Sequence, residues 1–327
     1  MDKKIFMVNN QKDFRSLALD TFQFQADTNR VYKEYLSFLK INPSRIKKFT
    51  EIPFLPIQFF KSHKVLSSRL SEPSIEQIFL SSGTSKTVQS KHYVTDVNLY
   101  KESYQKGFSH FYGNIEDYVV LALLPSYLER QGSSLIYMVA DLIQKSDQIE
   151  SGFYLQNLDK LKDVLLDLES RAKKVLLIGV SFALLDLIEK HQFSLKHTIV
   201  METGGMKGRR EEMIREDLHT RLKIGFGVSE IHSEYGMTEL LSQAYSKGKG
   251  LFKTPPWMDV LIRDIEDPLC LLPKGKIGAI NVVDLANRNS CSFIATQDLG
   301  RIRQDESFEI LGRFDNSDIR GCNLLVL

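Results

Sequence analysis

The chain has 327 residues, 43% of them hydrophobic, and a formal net charge of +2 at pH 7. That length buries a sizeable core in one large domain or two smaller ones, and its interspersed charges give no bulk electrostatic argument for nucleic acid. No segment approaches the roughly 18 uninterrupted apolar residues of a membrane span; the N-terminal M-D-K-K-I-F-M-V-N-N-Q-K-D has too short an apolar core for a secretory signal; and three widely spaced cysteines, Cys270, Cys291 and Cys322, argue against a disulfide framework or a Cys-rich zinc site and for a reducing cytoplasm.

Residues 11–48 show helical spacing of apolar positions, first Phe14, Leu17 and Phe22, then Val31, Tyr35, Phe38 and Leu39. The run I-P-F-L-P-I-Q-F-F from Ile52 to Phe60 has two prolines, which forbid a regular helix and favour an extended surface or pocket lip. Its Phe54, Phe59 and Phe60 suit either an apolar pocket or an ordinary core. Ile78–Leu80 reads as the end of a strand. Tyr118–Leu124, Val175–Ile178 and Thr198–Met201 are continuous apolar runs, the signature of buried strands. Helical patterns at 133–145, 158–172 and 181–191 alternate with them, which implies an α/β fold with a mainly parallel sheet. From about 251 the texture changes to short apolar runs punctuated by Pro, Gly and Asp, a β-rich subdomain.

Five loops carry chemistry-bearing residues. L-S-S-G-T-S-K, with Ser81, Ser82, Gly83, Thr84 and Lys86, leaves a strand and can offer hydroxyls, N–H groups and charge to phosphate oxygens, although it is not a Walker A loop and equally suits a plain surface loop. E-T-G-G, from Glu202 through Gly204 and Gly205, follows a strand at the end where parallel sheets bind ligands, or is a simple tight turn. H-S-E-Y-G-M-T-E places Tyr235 and Gly236 beside Thr238 and Glu239: a ring for a base, a hydroxyl for a phosphate, a carboxylate for a hard metal. Thr238 as a helix cap and Glu239 in a first helical turn is the alternative. His232, just upstream, suits a base, an acyl-pocket lining or a packed histidine. T-Q-D-L-G holds Asp298, and L-G-R-F-D-N-S-D-I-R-G holds Arg313 and Asp315, which also suit backbone turns and a surface ion pair.

Together these segments resemble the acyl-adenylate-forming enzymes, the superfamily of acyl-CoA synthetases, luciferases and peptide-synthetase adenylation domains. The resemblance runs from about 78 to 321. It implies that the chain uses ATP and Mg2+, with the Ser81–Lys86 loop on phosphates, Gly204 and Gly205 in the adenine pocket, and Tyr235 stacked on adenine. It further implies Thr238 at the α-phosphate, Glu239 on magnesium, and Asp298 with Arg313 at the ribose. The expected fold is the large N-terminal-type domain of that superfamily: parallel-rich sheets flanked by helices plus a small β-rich subdomain. The expected organisation is a helical region over 1–75, an α/β core over 76–250, the β-rich subdomain over 251–315 and a tail over 316–327.

Members usually continue into a C-terminal lid with a catalytic lysine, whereas this sequence stops six residues after Gly321, so the lid is expected to be missing. The narrower resemblance is to the LuxE-like acyl-protein synthetases, which also lack the lid and carry a tail cysteine that receives the acyl group. The matching residue is Cys322 in I-R-G-C-N-L-L-V-L; the same apolar run also suits an edge strand. Cys270 and Cys291 fall in apparent short strands and read as core. The resemblance implies an enzyme that activates a fatty or related carboxylic acid as acyl-AMP, loads Cys322 and delivers the acyl group to a partner such as an acyl-CoA reductase. An acyl-CoA or acyl-carrier ligase borrowing a lid from another chain, or a non-catalytic nucleotide-binding scaffold, stands as the alternative.

Overall fold

Asparagines set the N-terminal helices. Asn10 accepts a hydrogen bond from the Asp13 N–H and starts α1 (Gln11–Thr28). Asn29 ends that helix and, by accepting from the Tyr32 N–H, starts α2 (Arg30–Phe38), so the helical spacing seen over 11–48 belongs to two helices and a run of short turns. In a computed structural model of the chain, residues 2–82, 88–125, 132–204 and 213–314 are described. The remaining elements in chain order are β1 (Leu55–Pro56), α3 (Phe59–Ser62), β2 (Gln77–Leu80), β3 (Lys91–Val94), α4 (Val97–Tyr112), β4 (Val119–Leu123), α5 (Ser134–Ser146), β5 (Gly152–Phe153), α6 (Leu158–Ser170), β6 (Val175–Val180), α7 (Ser181–Lys190), β7 (Thr198–Thr203), α8 (Arg215–Phe226), β8 (His232–Tyr235), β9 (Ala244–Ser246), β10 (Phe252–Lys253), β11 (Met258–Arg263), β12 (Gly278–Asp284), β13 (Phe293–Ile302) and β14 (Phe308–Arg313). The fold is α/β, as the alternation of apolar runs and helical patterns predicts.

Two compact units divide the chain: one within Met1–Glu76, Val88–Asp96 and Pro256–Leu327, the other within Gln77–Thr87 and Val97–Pro255. In the second unit the strand order is β10–β9–β8–β7–β6–β4–β5. The pairings from β8 to β5 are parallel, and β9 and β10 return antiparallel. All five residues of β4 are buried. Val119, Leu121 and Leu123 join a core with Leu161, Leu165, Leu184, Leu222 and Phe226 from α6, α7 and α8. Val120 and Ala122 point the other way and are buried too, on the side where α5 packs on β4. Both faces are covered, which is why these strands read as unbroken apolar runs.

In the first unit β11–β12–β13–β14 form an antiparallel meander, and β1 adds to β13 in parallel, Leu55 opposite Ile294. The proline-punctuated run is extended only as far as β1; Gln58 turns into the helical region and Phe59 and Phe60 begin α3, past the second proline. Nor is it a surface: Ile52, Phe54, Leu55, Ile57 and Phe60 are buried, and Phe54 meets Phe293 edge-on at 6.1 Å. Its prolines suit a strand two residues long whose other groups pack rather than pair. Cys291 is core, and burial pushes its thiol up to about 12. Cys270 is exposed, contrary to the sequence reading, because Asp264 to Cys270 close a loop through Asp264 N–H to Cys270 O (2.8 Å) and Cys270 N–H to Asp267 O (3.0 Å). Among the described residues, no helix is long and apolar enough to cross a membrane.

Candidate active site

Three successive parallel strands end side by side. Val180 pairs with Thr203, and Thr203 with Glu234. The residues that follow, Ser181, Gly204 and the Tyr235–Glu239 turn, therefore lie along one edge, the carboxyl edge where open α/β sheets place ligands. Gly204 has φ +66°, a left-handed conformation that suits glycine. Its carbonyl accepts a hydrogen bond from Ser181 Oγ at 2.9 Å, which ties the end of β7 to the start of α7.

The turn after β8 is built around carboxylates. Glu234 is buried and accepts from the Thr203 hydroxyl across the sheet. A Cβ on Gly236 would fall inside contact distance of Glu234 Oε1 and 3.2 Å from Gln243 Cγ, so glycine is demanded by crowding, not by φ. Tyr235 is buried, its ring edge-on to Phe252 at 6.0 Å. Met237 O accepts from Leu240 N–H at 3.1 Å, placing Thr238 and Glu239 at the centre of a turn. No helix follows, since the next element is β9, and the helix-cap alternative for this pair is removed. Thr238 is half-buried, and Glu239 is only 5% exposed.

Behind this edge lies a buried polar cluster that motif reading did not resolve. Burial pushes the Glu202 carboxyl up, but the His219 ring 3.5 Å away, the Arg215 charge and Ser233 outweigh it and hold it below the ordinary range. Arg215 also lies over the Phe252 ring, 4.9 Å from its centroid. His232, half-buried at the start of β8, has Nδ1 3.2 Å from the Tyr112 hydroxyl. Burial and the charge of Lys247 lower it to about 4, with Glu230 opposing, so it is a neutral imidazole and a weak base at neutral pH.

Ser81 and Ser82 follow β2, Ser81 half-buried and Ser82 exposed. Gly83, Thr84, Lys86, Gly205, Asp315 and Cys322 lie outside the described residues. In the other unit, Asp298 on β13 stands opposite Arg313 on β14, with Arg313 Nε 4.0 Å from Asp298 Oδ1. Asp298 is 19% exposed in its side chain and Arg313 65%. Arg313 Nη2 also reaches Gln297 Oε1 at 3.5 Å.

Among the described residues no group of three or more His, Cys, Asp and Glu is placed to hold a metal. A single buried carboxylate such as Glu239 fits magnesium, which keeps most of its positions for phosphate oxygens and water. It does not fit a zinc-type site, which takes several protein ligands.

A family model described as acyl-protein synthetase, LuxE, matches residues 143–327. The chain belongs to this family. Solved structures with the same fold are adenylate-forming enzymes. ATP-bound MatB from Rhodopseudomonas palustris is 19% identical with a TM-score of 0.54, over 76% of this chain and 50% of that one. A 2-hydroxyisobutyryl-CoA ligase in complex with 2-HIB-AMP is 12% identical with a TM-score of 0.64, over 93% of this chain and 68% of that one. A long-chain-fatty-acid-CoA ligase from Archaeoglobus fulgidus is 14% identical with a TM-score of 0.51, over 73% of this chain and 51% of that one. The chain thus spans about half the length of several structures it matches, among them the R. palustris and A. fulgidus proteins. No curated protein sequence matches it.

Proposed function

We propose that the chain is an ATP-dependent acyl-protein synthetase that activates a fatty or related carboxylic acid as acyl-AMP and transfers the acyl group to its own Cys322 for delivery to a partner such as an acyl-CoA reductase. The observation that carries this reading is the buried Glu239 beside Thr238, in a turn at the carboxyl edge of a parallel sheet, within a member of the LuxE family. A carboxylate oxygen attacks the α-phosphorus of ATP, the bond to the pyrophosphate oxygen breaks, and pyrophosphate leaves. The Cys322 sulfur then attacks the acyl carbon, the acyl–oxygen bond breaks, AMP leaves, and the thiol proton passes to solvent. Two easier steps replace one hard one.

In this reading Tyr235 stacks on adenine beside Gly204 and Gly205. Thr238 donates to the α-phosphate, and Ser81, Ser82, Gly83, Thr84 and Lys86 receive the other phosphates. Asp298 and Arg313 hold the ribose. Glu239 holds magnesium, which when bound neutralises charge on the phosphates. His232, neutral and bonded to Tyr112, lines the acyl side and takes no proton.

Intact-mass analysis after incubation with ATP, magnesium and acids of graded chain length tests the proposal. A hydroxylamine-labile acyl mass that disappears in Cys322→Ser is expected; full loading of that variant at sites only elsewhere on the chain refutes the cysteine assignment. Acyl-CoA formation is the second reading, because structures sharing the fold are CoA ligases by description. CoA-dependent AMP release that is unchanged in Cys322→Ser would favour it.

A further inference from the structure

Strand β13 does not keep step with its neighbours. Against β12 the register passes from Ala279↔Leu299 to Asn281↔Ala295, so the single residue Ile280 faces Thr296, Gln297 and Asp298. Against β14 it shifts again between Leu299 and Gly300. A bulge of this kind takes carbonyls out of the ladder and re-aims the side chains it carries. Buried carbonyls without strand partners need other donors.

Arg263, at the end of β11, supplies them. Its Nη1 donates to Ile280 O at 2.8 Å and to Asn281 Oδ1 at 2.7 Å, and its Nη2 donates to Thr296 O at 2.6 Å. The Thr296 hydroxyl completes the arrangement, donating to Ile280 O at 2.8 Å and accepting from the Asp298 N–H at 3.1 Å. Arg263 is 7% exposed, and its hydrogen bonds go to neutral oxygens. Burial lowers its pKa to about 10, while Tyr35 and Asp298 act the other way, so it remains a cation at neutral pH. A buried cation is a costly way to crosslink plain strands. Its three acceptors surround the bulge that displays Asp298.

The geometry points to Arg263 as the positioning residue of Asp298: by filling the bulge it fixes where the carboxylate is held for the ribose hydroxyls. This rests on the reading of Asp298 as a ribose ligand. A lysine carries its three donors on one nitrogen and not on a planar fork, so it does not reproduce contacts made from two separate nitrogens.

The test compares binding of ATP and 2′,3′-dideoxy-ATP to the full chain by calorimetry, in wild type, Asp298→Asn, Arg263→Lys and Thr296→Val. Wild type is expected to prefer ATP by about tenfold or more, the worth of a hydrogen bond to a charged group. Asp298→Asn and Arg263→Lys are both expected to bring the ratio toward one, with Thr296→Val between. Competition by tripolyphosphate should stay unchanged in all four, which a general loss of structure would not permit. A lost preference in Asp298→Asn with a wild-type ratio in Arg263→Lys overturns the assignment of Arg263 while leaving the ribose reading intact. An undiminished ratio in Asp298→Asn, or no preference in wild type, overturns the ribose reading and this role with it. Should Arg263→Lys not fold, Asn281→Ala, which removes the side-chain acceptor of Arg263 Nη1, takes its place, and a wild-type ratio there overturns the assignment.

Discussion

His232 is the residue whose chemistry the fold changes most from its sequence expectation, and the change is measurable. Burial comes first and the Lys247 charge second in lowering it from 6.5 to about 4. At pH 7 only about one molecule in a thousand then carries the proton. Burial raises the Tyr112 phenol, so its hydroxyl stays protonated 3.2 Å from Nδ1 and can donate or accept according to the imidazole tautomer. Because the folded value is depressed, the folded state resists a proton that the unfolded chain accepts. The associated stability is complete above about 6.5 and is lost as pH falls toward 4, about 3 kcal/mol in total. Histidine Cε1–H NMR titration assigns the resonance by its absence in His232→Asn, and urea unfolding across pH 4–7 gives the linked stability. The expected midpoint is about 4; Lys247→Met should move it upward, and His232→Asn should flatten the acid slope. A midpoint at or above 6, or one indifferent to Lys247, would refute the reasoning and return His232 to the list of candidate bases.

Four further outcomes are expected. Glu239→Gln should lower ATP–pyrophosphate exchange by about 10²-fold or more, since it removes charge stabilisation at the reacting phosphates, while the circular dichroism spectrum is kept. Cys322→Ala should retain exchange yet form no thioester, as read by hydroxylamine release. Gly236→Ala forces Glu234 and Gln243 aside; it should cost roughly 1–3 kcal/mol in thermal unfolding and a larger factor in exchange, because the displaced turn carries Thr238 and Glu239. Asp259 is raised to about 6, mainly by burial. That shift costs up to about 3 kcal/mol at neutral pH, and the penalty fades as pH falls through 6 toward 3.8. Asp259→Asn should therefore raise the melting temperature at pH 7.5 and leave it nearly unchanged at pH 4.

The central sheet was legible because its strands are covered on both faces and so read as apolar runs, as at Val119–Leu123 and Val175–Val180. Helices with aliphatic faces were legible too: the pattern at 133–145 is α5, and that at 158–172 is α6. Three helices escaped, the single turn α3 and the longer α4 and α8. The longer two do carry an apolar line, Tyr100, Tyr104 and Phe108 on α4 and Leu218, Leu222 and Phe226 on α8, but the same buried faces include Ser103, Gly107, His219 and Gly225, which dilute the pattern. The motif residues stood out because hydroxyls, carboxylates and glycines concentrate in short loops. Glu234, His219 and Arg263 did not, because what they do depends on register. Glu234 matters through the hydroxyl of a strand neighbour and the glycine two residues on, and Arg263 through a bulge that no local pattern announces.

The pairing of β1 with β13 constrains how the protein is made. Ile57 N–H bonds Ala295 O at 3.0 Å, joining two points 238 of the 327 residues apart. At about 5–20 residues per second, the ribosome delivers that partner some 10–50 seconds after the N-terminal aromatics emerge. Throughout that interval Phe54 lacks its ring partner Phe293, whereas Phe60 can already meet His92. The intervening Val97–Pro255 segment can mature first, leaving the early-made flank as a chaperone client until translation is nearly done.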